Sequence, residues 1–223
     1  MAKRVERPPV RDGYDRWSCS YDTTPNPVVA LDRQHSLTAL EPRPGEWILD
    51  AGCGTGAHLR ALHRSGSQPV GMDFSRGMLG MAKQAAPEVW LVQADLDCEF
   101  PIRPRCFDAV LSTLVSEHLT DLRSFFDESF AVLRPGGRLV FSAFHPDPAR
   151  AGVEANFEQG GTEYRLGAAP YTVEDYLDRI EGAGFRELRW SEHAPDASLL
   201  ASLPTAAKYA GRPLLLLIAA ERP

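Results

Sequence analysis

The chain has no long apolar segment and little that would direct it to a membrane. Its longest apolar run covers residues 214–220, only seven residues, which is too short to cross a bilayer. The basic N-terminus also lacks the apolar stretch of a secretory signal peptide. We therefore expect a soluble, cytoplasmic protein without a membrane span.

Cysteine is scarce, with 4 residues in a chain of 223. None of them forms a Cys-x-x-Cys pair or has a histidine at the spacing of zinc ligands, so we expect no metal centre. Positive charge is also in deficit, since 24 Lys+Arg stand against 30 Asp+Glu and the net charge is -6. Because phosphate contacts need a surplus of cations, this balance argues against nucleic acid as the main partner.

The order of predicted elements is typical of one α/β domain. Apolar and β-branched segments predict strands at residues 47–50, 70–73, 89–93, 107–112, 138–143, 185–190 and 214–220. Helices are predicted at residues 27–40, 57–65, 76–86, 122–133 and 172–183. Short connections between alternating strands and helices require a mainly parallel sheet with helices on both faces.

Composition divides this single domain, residues 1–223, into four segments. Residues 1–45 carry an N-terminal arm, which we expect to be mobile over residues 1–12, and a cap helix opened by Asn26 and Pro27. Residues 46–143 hold the cofactor-binding core. Residues 144–170 show no clear period and are interpreted as an insertion packed near the strand ends, where it would cap a bound substrate, and residues 171–223 supply a C-terminal helix and strand pair.

The most informative segment is Ile48-Leu-Asp-Ala-Gly-Cys-Gly-Thr-Gly56, in which a strand ends on an acid and three glycines lead into a helix. Glycine allows positive φ and lets a ligand lie against the backbone, while the start of the helix offers free N–H groups. The turn also fits the dinucleotide-binding fingerprint, read as Gly52-x-Gly54-x-x-Ala57. It predicts a ligand that contains a nucleotide or nucleoside.

Acids follow the next two predicted strands. Asp73 lies 21 residues after Gly52, a spacing that suits a carboxylate accepting both ribose hydroxyls of a nucleoside. Asp95 ends the third strand, where a carboxylate can read an adenine amino group. These segments all end strands at the edge where an open parallel sheet binds its ligand, so we expect one shared site.

Together with Phe107-Asp-Ala-Val-Leu-Ser112 and Leu133-Arg-Pro-Gly-Gly-Arg-Leu139, these motifs resemble the class I S-adenosylmethionine-dependent methyltransferases. The resemblance is nearest to the ubiquinone/menaquinone C-methyltransferase-like group and runs in order over residues 14–143. It implies a Rossmann-like, seven-stranded, mostly parallel sheet of order 3-2-1-4-5-7-6 with the last strand antiparallel. It also implies in-line methyl transfer from S-adenosylmethionine to a small-molecule acceptor, with S-adenosylhomocysteine as product.

The resemblance further implies which residues bind the cofactor. Asp50 would lie near its methionine amino group, Asp73 would take the ribose, and Leu114 would lie beneath the sulfonium. The tyrosines would close over the methionine end. The full predicted set is Tyr14, Tyr21, Asp50, Ala51, Gly52, Cys53, Gly54, Thr55, Gly56, Asp73, Phe74, Ser75, Met78, Ala94, Asp95, Leu96, Ser112 and Leu114.

Two histidines are candidate catalytic bases. His118 follows the fourth strand and His145 follows the fifth, so both belong to the rim that holds the cofactor. Imidazole titrates near neutrality and could take a proton from a hydroxyl or acidic carbon, whereas an amine that is already neutral would need no base. Each histidine also has a plain alternative role, which is to order a loop.

Three other functions fit parts of the pattern. An NAD-dependent oxidoreductase shares the glycine turn, and the same fold can bind S-adenosylmethionine for a reaction without methyl transfer. A non-catalytic subunit could use the sheet for protein contacts. The sequence leaves the acceptor open and allows a monomer or a homodimer, the latter through an exposed edge on the C-terminal strand.

Overall fold

A computed structural model describes residues 4–223 of the chain. Over that range all seven predicted strands and all five predicted helices are present. Three short 3-10 turns lie at Tyr21–Thr23, Ser116–His118 and Pro204–Tyr209. In chain order the elements are β1 (Arg4–Glu6), α1 (Val10–Trp17), α2 (Pro27–Leu40), β2 (Trp47–Ala51), α3 (Ala57–Arg64), β3 (Gln68–Asp73), α4 (Arg76–Ala85), β4 (Trp90–Gln93), β5 (Phe107–Thr113), α5 (Leu122–Val132), β6 (Leu133–Phe144), α6 (Pro146–Arg150), β7 (Asn156–Gln159), β8 (Thr162–Arg165), α7 (Val173–Gly182), β9 (Arg186–His193), α8 (Ala197–Ser202) and β10 (Leu215–Glu221). Of these, β1, α1, α6, β7, β8 and α8 are additional to the predicted elements.

Seven of these strands form one sheet with the order β4-β3-β2-β5-β6-β10-β9. Strands β2 to β6 pair in parallel, whereas β10 runs antiparallel to both β6 and β9. Numbered along the chain within this sheet, the order is 3-2-1-4-5-7-6. The fold class predicted from the sequence is therefore confirmed.

Alternate residues of the central strands pack on opposite faces of the sheet. Ile48 packs in a cluster with Leu40 of α2 and Leu62 of α3. Its neighbour Leu49 belongs to the cluster on the other face, which includes Phe125 of α5 and Ile180 of α7. Because consecutive strand residues point to opposite sides, one apolar strand supports two helical layers.

Local signals place the helix ends where the sequence predicts them. The Asn26 side chain accepts a hydrogen bond from the Val28 N–H, and Pro27 is the first residue of α2. At α7, Thr172 and Asp175 form a reciprocal capping box. These side chains pair backbone N–H groups that have no partner within the helix.

The C-terminal strand is not the exposed edge that we expected. β10 lies between β6 and β9, paired along its length with both, and β9 forms the edge. The apolar run of β10 requires burial on both faces, while β9 carries charged residues that tolerate solvent at the edge. This is the strand order that the resemblance implies, and it leaves no free edge on β10.

The expectation of a mobile N-terminal arm is also wrong for the residues that the structure describes. β1 pairs in parallel with β8 and completes a three-stranded sheet with β7, which belongs to the insertion. Arg7 donates to both carboxylate oxygens of Glu154, at 2.8 and 2.6 Å. Residues 1–3 of the predicted arm lie outside the described residues.

Helix α1 lies over the carboxyl edge of the large sheet because it binds the start of α4. The Asp15 carboxylate accepts hydrogen bonds from Ser75 Oγ at 2.6 Å and from the Gly77 N–H at 2.8 Å. A Cβ at Gly77 would approach the Asp15 carbonyl oxygen to 2.8 Å, so glycine is needed for this close contact. A carboxylate at a helix N-terminus also interacts favourably with the helix dipole.

Within residues 4–223, none of the helices combines the length and apolar character needed to cross a membrane.

The pairing of β1 gives a first prediction. Replacing Arg7 with alanine removes both bonds to Glu154 and should make the β1 amide hydrogens exchange at least about tenfold faster, because local opening becomes easier. The melting temperature should change little, since the large sheet is untouched. Hydrogen exchange read by mass spectrometry measures the first and thermal unfolding the second, with Arg4→Ala in β1 as control. Equal protection in Arg7→Ala and wild type would contradict the anchoring role.

Candidate active site

The carboxyl ends of β2, β3, β4 and β5 meet at a cavity of about 160 Å³, called here the sheet-edge cavity. Most of its lining comes from residues that the sequence predicts, whereas Asp97, Thr113, Val115 and Leu119 were not predicted. The predicted residues that line it are Tyr14, Tyr21, Gly52, Gly54, Asp73, Phe74, Met78, Asp95, Leu96, Leu114 and His118.

The three glycines of the turn have different roles. All of them have positive φ, at +83° for Gly52, +52° for Gly54 and +81° for Gly56. Gly54 has open space where a Cβ would be, so its backbone is exposed to a ligand. A Cβ at Gly56 would lie 3.0 Å from the Cα of Ala82, and this glycine therefore serves the packing of α3 against α4.

Asp73 connects the glycine turn to the end of β3. Its Oδ2 accepts the Gly54 N–H at 2.9 Å, and its Oδ1 accepts the Ser75 N–H at 2.8 Å. The side chain lines the sheet-edge cavity and is buried. Because a carboxylate has about four lone-pair sites, both oxygens can still accept a hydrogen bond from a ligand hydroxyl.

Asp50 is a buried carboxylate beneath the glycine turn. It is 1% exposed, and neither carboxylate oxygen has a hydrogen-bond partner among the described residues. Burial raises its pKa to about 7, although the nearby His58 works in the opposite direction. Asp50 does not line the sheet-edge cavity, but it lies directly before the glycine turn. Because an unpaired buried carboxylate is costly, a ligand that brings a positive charge close to it would offset that cost.

A buried histidine–aspartate pair lies on the same side of the sheet. His58 Nε2 lies 2.8 Å from Asp32 Oδ2, and Ser142 Oγ donates to Asp32 Oδ1 at 2.7 Å. Burial opposes the charged ring, but the Asp32 bond outweighs it, so the pKa of His58 is raised. These residues join α2, α3 and β6 beneath the site, a contact that the sequence does not reveal.

Helix α1 also covers the adenine end predicted from the sequence. Arg11 Nη2 donates to Asp95 Oδ2 at 3.2 Å, and its guanidinium lies 5.5 Å from the centre of the Phe74 ring. Both Asp95 and Phe74 line the sheet-edge cavity. The arginine therefore links α1 to two residues of the cavity wall.

Leu114 has a backbone conformation that is rare for its residue type. Its φ is +54°, in the left-handed region, and its N–H donates to the Ser142 carbonyl at 3.0 Å. A branched side chain in this region is strained, and such strain is concentrated at functional sites. The turn directs the chain away from the sheet just after β5.

Tyr14 and His118 join the N-terminal helix to the loop after β5. The Tyr14 hydroxyl lies 2.9 Å from His118 Nε2, and the two rings meet edge to face at 5.3 Å. Burial lowers the pKa of His118 to about 4, so the imidazole is neutral at physiological pH. Burial also raises the pKa of Tyr14, which keeps its hydroxyl protonated.

A second, larger cavity of about 330 Å³, called here the outer cavity, adjoins the first. Tyr14, Tyr21 and Leu114 line both cavities. The remaining walls come from the end of α1, the start of α2, the 3-10 turn after β5, the insertion and the segment before β10. They include Trp17, Thr24, Asn26, Val29, Glu117, Phe144, Val153, Glu154, Asn156, Thr205, Lys208 and Leu214.

Glu117 is a residue of the outer cavity that sequence reasoning missed, although it directly precedes His118. Its Oε2 is shielded from solvent and has no hydrogen-bond partner among residues 4–223. Burial raises its pKa to about 7. Only the fold could identify it, because a glutamate in a polar loop is ordinarily solvated.

His145 does not line either cavity. It is 3% exposed, its Nε2 lies 3.1 Å from Glu192 Oε1, and its Nδ1 accepts the Asp147 N–H at the start of α6. Both ring nitrogens are engaged in contacts within the protein. The structure thus places His145 as a helix cap at the end of β6, away from His118.

The other predicted residues support the cavity from behind. Ser75 caps α4 and Ser112 Oγ donates to the Ala51 carbonyl at 2.8 Å. Ala94 donates its N–H to the Asp73 carbonyl at 3.1 Å. Cys53 and Thr55 are buried in the turn, and burial raises the pKa of the Cys53 thiol, which keeps it protonated.

The chain is similar in sequence to known methyltransferases. A family model described as a methyltransferase domain matches residues 49–141. A demethylmenaquinone methyltransferase from Clavibacter sepedonicus is 32% identical over 206 residues, which cover 88% of this chain and 80% of that protein. A malonyl-[acyl-carrier protein] O-methyltransferase from Serratia marcescens is 32% identical over 141 residues, or 62% of this chain and 53% of that protein.

A solved structure of an S-adenosylmethionine-dependent methyltransferase from Mesorhizobium loti has a TM-score of 0.72 and 27% identity, covering 88% of this chain and 100% of that one. The match to the Serratia protein, by contrast, spans only about half of that relative's length. The full fold and the core sequence are thus both shared with known methyltransferases.

The sheet order, the glycine turn and a cavity at the carboxyl ends of parallel strands define an α/β enzyme that binds a nucleoside-containing ligand. The chain belongs to the class I S-adenosylmethionine-dependent methyltransferases, in the quinone methyltransferase-like group. Its cofactor is S-adenosylmethionine. The family, enzyme class and cofactor predicted from the sequence are confirmed, which decides against an NAD-dependent oxidoreductase.

The residues present fit that cofactor chemically. S-adenosylmethionine carries an ammonium group, a ribose diol and an adenine ring. Asp50 offers a carboxylate without a partner in the described part of the chain, and Asp73 offers carboxylate oxygens at the cavity wall. Phe74 and Met78 supply apolar surface for a flat ring. The role of each residue stays a prediction, which the following variants test.

Replacing Asp73 with alanine should weaken binding of S-adenosylmethionine and S-adenosylhomocysteine alike, by at least about tenfold, because two charge-assisted hydrogen bonds to the ribose are lost. Titration calorimetry measures both affinities. Asp127→Ala, an exposed position on α5, is the matched control. Unchanged affinities in Asp73→Ala would remove the ribose assignment.

Replacing Asp50 with asparagine should stabilise the ligand-free protein at high pH while weakening cofactor binding. Burial raises the Asp50 pKa from 3.8 to about 7, so the folded protein binds a proton that the unfolded chain releases between these values. The free energy of unfolding contributed by this group therefore falls as pH rises through that window.

Thermal unfolding at about pH 5 and about pH 8 should show a gain of roughly 5 °C for Asp50→Asn at the higher pH only. Calorimetry at the higher pH should show at least about tenfold weaker binding of S-adenosylmethionine. A variant that is less stable than wild type at both pH values would contradict an unpaired Asp50.

Proposed function

We propose that the protein transfers a methyl group from S-adenosylmethionine to a small-molecule acceptor bound in the outer cavity. The observation that carries the proposal is that Tyr14, Tyr21 and Leu114 line both cavities, so an acceptor and the cofactor would meet across these residues. Direct contact between the two sites is what an in-line displacement needs.

The protein's contribution to this reaction is alignment and exclusion of water. When bound, S-adenosylmethionine supplies an already activated methyl group on a sulfonium. The rings of Tyr14 and Tyr21 cover the boundary between the cavities, and the strained turn at Leu114 holds the backbone there. Rigid positioning of this kind accounts for much of the rate in reactions between two bound partners.

His118 acts in this proposal as a positioning residue and not as a base. Its lowered pKa, about 4, makes the ring a weak proton acceptor at neutral pH, and Nε2 already contacts the Tyr14 hydroxyl. A neutral imidazole also adds no positive charge beside a sulfonium. His145 has no role in the transfer here, since both of its ring nitrogens have partners away from the cavities.

The lining of the outer cavity favours a small acceptor of mixed polarity. Thr24, Asn26 and Asn156 bring polar groups, while Val29 and Phe144 bring apolar surface. The named relatives are methyltransferases for demethylmenaquinone and for malonyl-[acyl-carrier protein]. The insertion contributes to this wall, which supports the predicted role of residues 144–170 as an acceptor cap.

Filling the outer cavity should separate acceptor binding from cofactor binding. Val29→Trp on α2 places a large ring in the outer cavity, and we expect methyl transfer to fall at least about a hundredfold with little change in S-adenosylmethionine affinity. Release of S-adenosylhomocysteine with a panel that includes demethylmenaquinol, phenols and arylalkylamines measures transfer, and calorimetry measures affinity.

Thr38→Trp, an exposed position on the same helix, is the control for that variant. Equal transfer by Val29→Trp and wild type would contradict an acceptor in the outer cavity. Tight binding of S-adenosylmethionine by the wild type without transfer to any member of the panel would favour the alternative of a reaction without methyl transfer.

A further inference from the structure

The outer cavity contains two polar groups that nothing in the described chain satisfies. The Oε2 atom of Glu117 and the indole N–H of Trp17 are both shielded from solvent and have no hydrogen-bond partner among residues 4–223. Both residues line the outer cavity. Unpaired buried groups of this kind are rare, because each costs the solvation that it has lost.

Neither of the other charged residues on these walls neutralises Glu117. Glu154 is bound by Arg7 and also lies 3.6 Å from Arg165. The Lys208 ammonium lies 4.8 Å from the centre of the Tyr209 ring, and its side chain is on the exposed rim. Glu117 takes part in none of the ion pairs found in the described residues, so its charge has no partner of opposite sign.

Aromatic rings surround the same space. Tyr14, Trp17 and Tyr21 line the outer cavity, with ring centres 5.9 Å apart for Tyr14 and Trp17 and 4.8 Å apart for Trp17 and Tyr21. A carboxylate together with the faces or edges of several aromatic rings is the combination that binds an organic ammonium ion. A neutral quinone or ester would bring no positive charge to the carboxylate.

We infer that the acceptor bears a basic nitrogen, which Glu117 binds as an ammonium group and then deprotonates so that the nitrogen can be methylated. This inference rests on the proposed function, because it assigns the chemical class of the molecule in the outer cavity. The N–H bond breaks, its electron pair stays on nitrogen, and the proton passes to the Glu117 carboxylate. The nitrogen lone pair then forms the N–CH₃ bond as the S–CH₃ bond breaks. The electron pair of the S–CH₃ bond stays on the sulfur, which gives S-adenosylhomocysteine.

The neighbouring titratable groups are poorer proton acceptors than Glu117. His118 is a weak base, because burial lowers its pKa to about 4. Burial and the charge of Glu117 raise the pKa of Tyr14 and of Tyr21, so both phenols stay protonated. Burial raises the pKa of Glu117 itself to about 7, which suits a carboxylate that has to accept a proton near neutral pH.

The experiment compares two probes of nearly equal shape, 2-phenylethylamine and 2-phenylethanol, on protein loaded with S-adenosylhomocysteine at about pH 8, where Glu117 is ionised. Calorimetry or ligand-observed NMR gives both affinities. We expect the amine to bind at least about tenfold more tightly than the alcohol, and Glu117→Gln to abolish the preference. Asp127→Asn, which removes an exposed charge on α5, is the matched control and should retain it.

A second measurement follows the labelled methyl group from S-adenosylmethionine into 2-phenylethylamine. Wild-type protein should give the N-methyl product, and Glu117→Gln should reduce its formation at least about a hundredfold while binding S-adenosylhomocysteine normally, which shows that the variant is folded. Equal affinity for amine and alcohol, survival of the preference in Glu117→Gln, or absence of amine binding would each overturn the inference.

These outcomes differ from a failure of the proposed function. If a phenol or quinol is methylated and Val29→Trp stops that transfer, the outer cavity is the acceptor site and only the assignment of a basic nitrogen is wrong. If Val29→Trp leaves transfer intact, the outer cavity is not the acceptor site and both conclusions fail.

Discussion

The contact between Asp15 and the start of α4 is the interaction on which both cavities depend. Through hydrogen bonds from Ser75 and Gly77, it holds α1 across the edge where the parallel strands end. That helix places Tyr14 against His118 and Trp17 against the insertion. The Trp17 ring stacks there on Phe157, with ring centres 5.0 Å apart. Without this contact the strand ends would form an open groove, as the parallel sheet alone supplies only one wall.

Two buried carboxylates give the site its electrostatic character. Asp50 lies beneath the glycine turn and neither of its carboxylate oxygens is hydrogen-bonded in the described residues, while Glu117 lies on the wall of the outer cavity and its Oε2 has no such partner. Each lowers the stability of the empty protein and each is complementary to a cation. The empty protein is therefore less stable, and the site binds a cation more tightly. This combination is common where activity requires groups held in an unfavourable environment.

Local chemistry explains why so much of the site was predictable. The glycines, Asp73 and Asp95 follow strands whose apolar composition is plain, and positive φ or a carboxylate at those points has few other uses. His145 shows the limit, because its position after β6 was predicted correctly while its partners, Glu192 and Asp147, were not. Glu117 was missed although its neighbour was considered, since exposure and pairing are properties of the folded chain.

The order of strands and helices in the core, the glycine turn and the acids at the strand ends could all be predicted from the residues, since they follow from residue periodicity and from backbone conformations that few residues can adopt. Contacts in the folded chain were needed to show that β1 pairs with β8 and that Oε2 of Glu117 has no hydrogen-bond partner in the described residues. The physical reason is that these properties depend on contacts between segments far apart in the chain, such as Arg7 with Glu154. Whether a polar side chain is satisfied is settled only when those distant segments pack together.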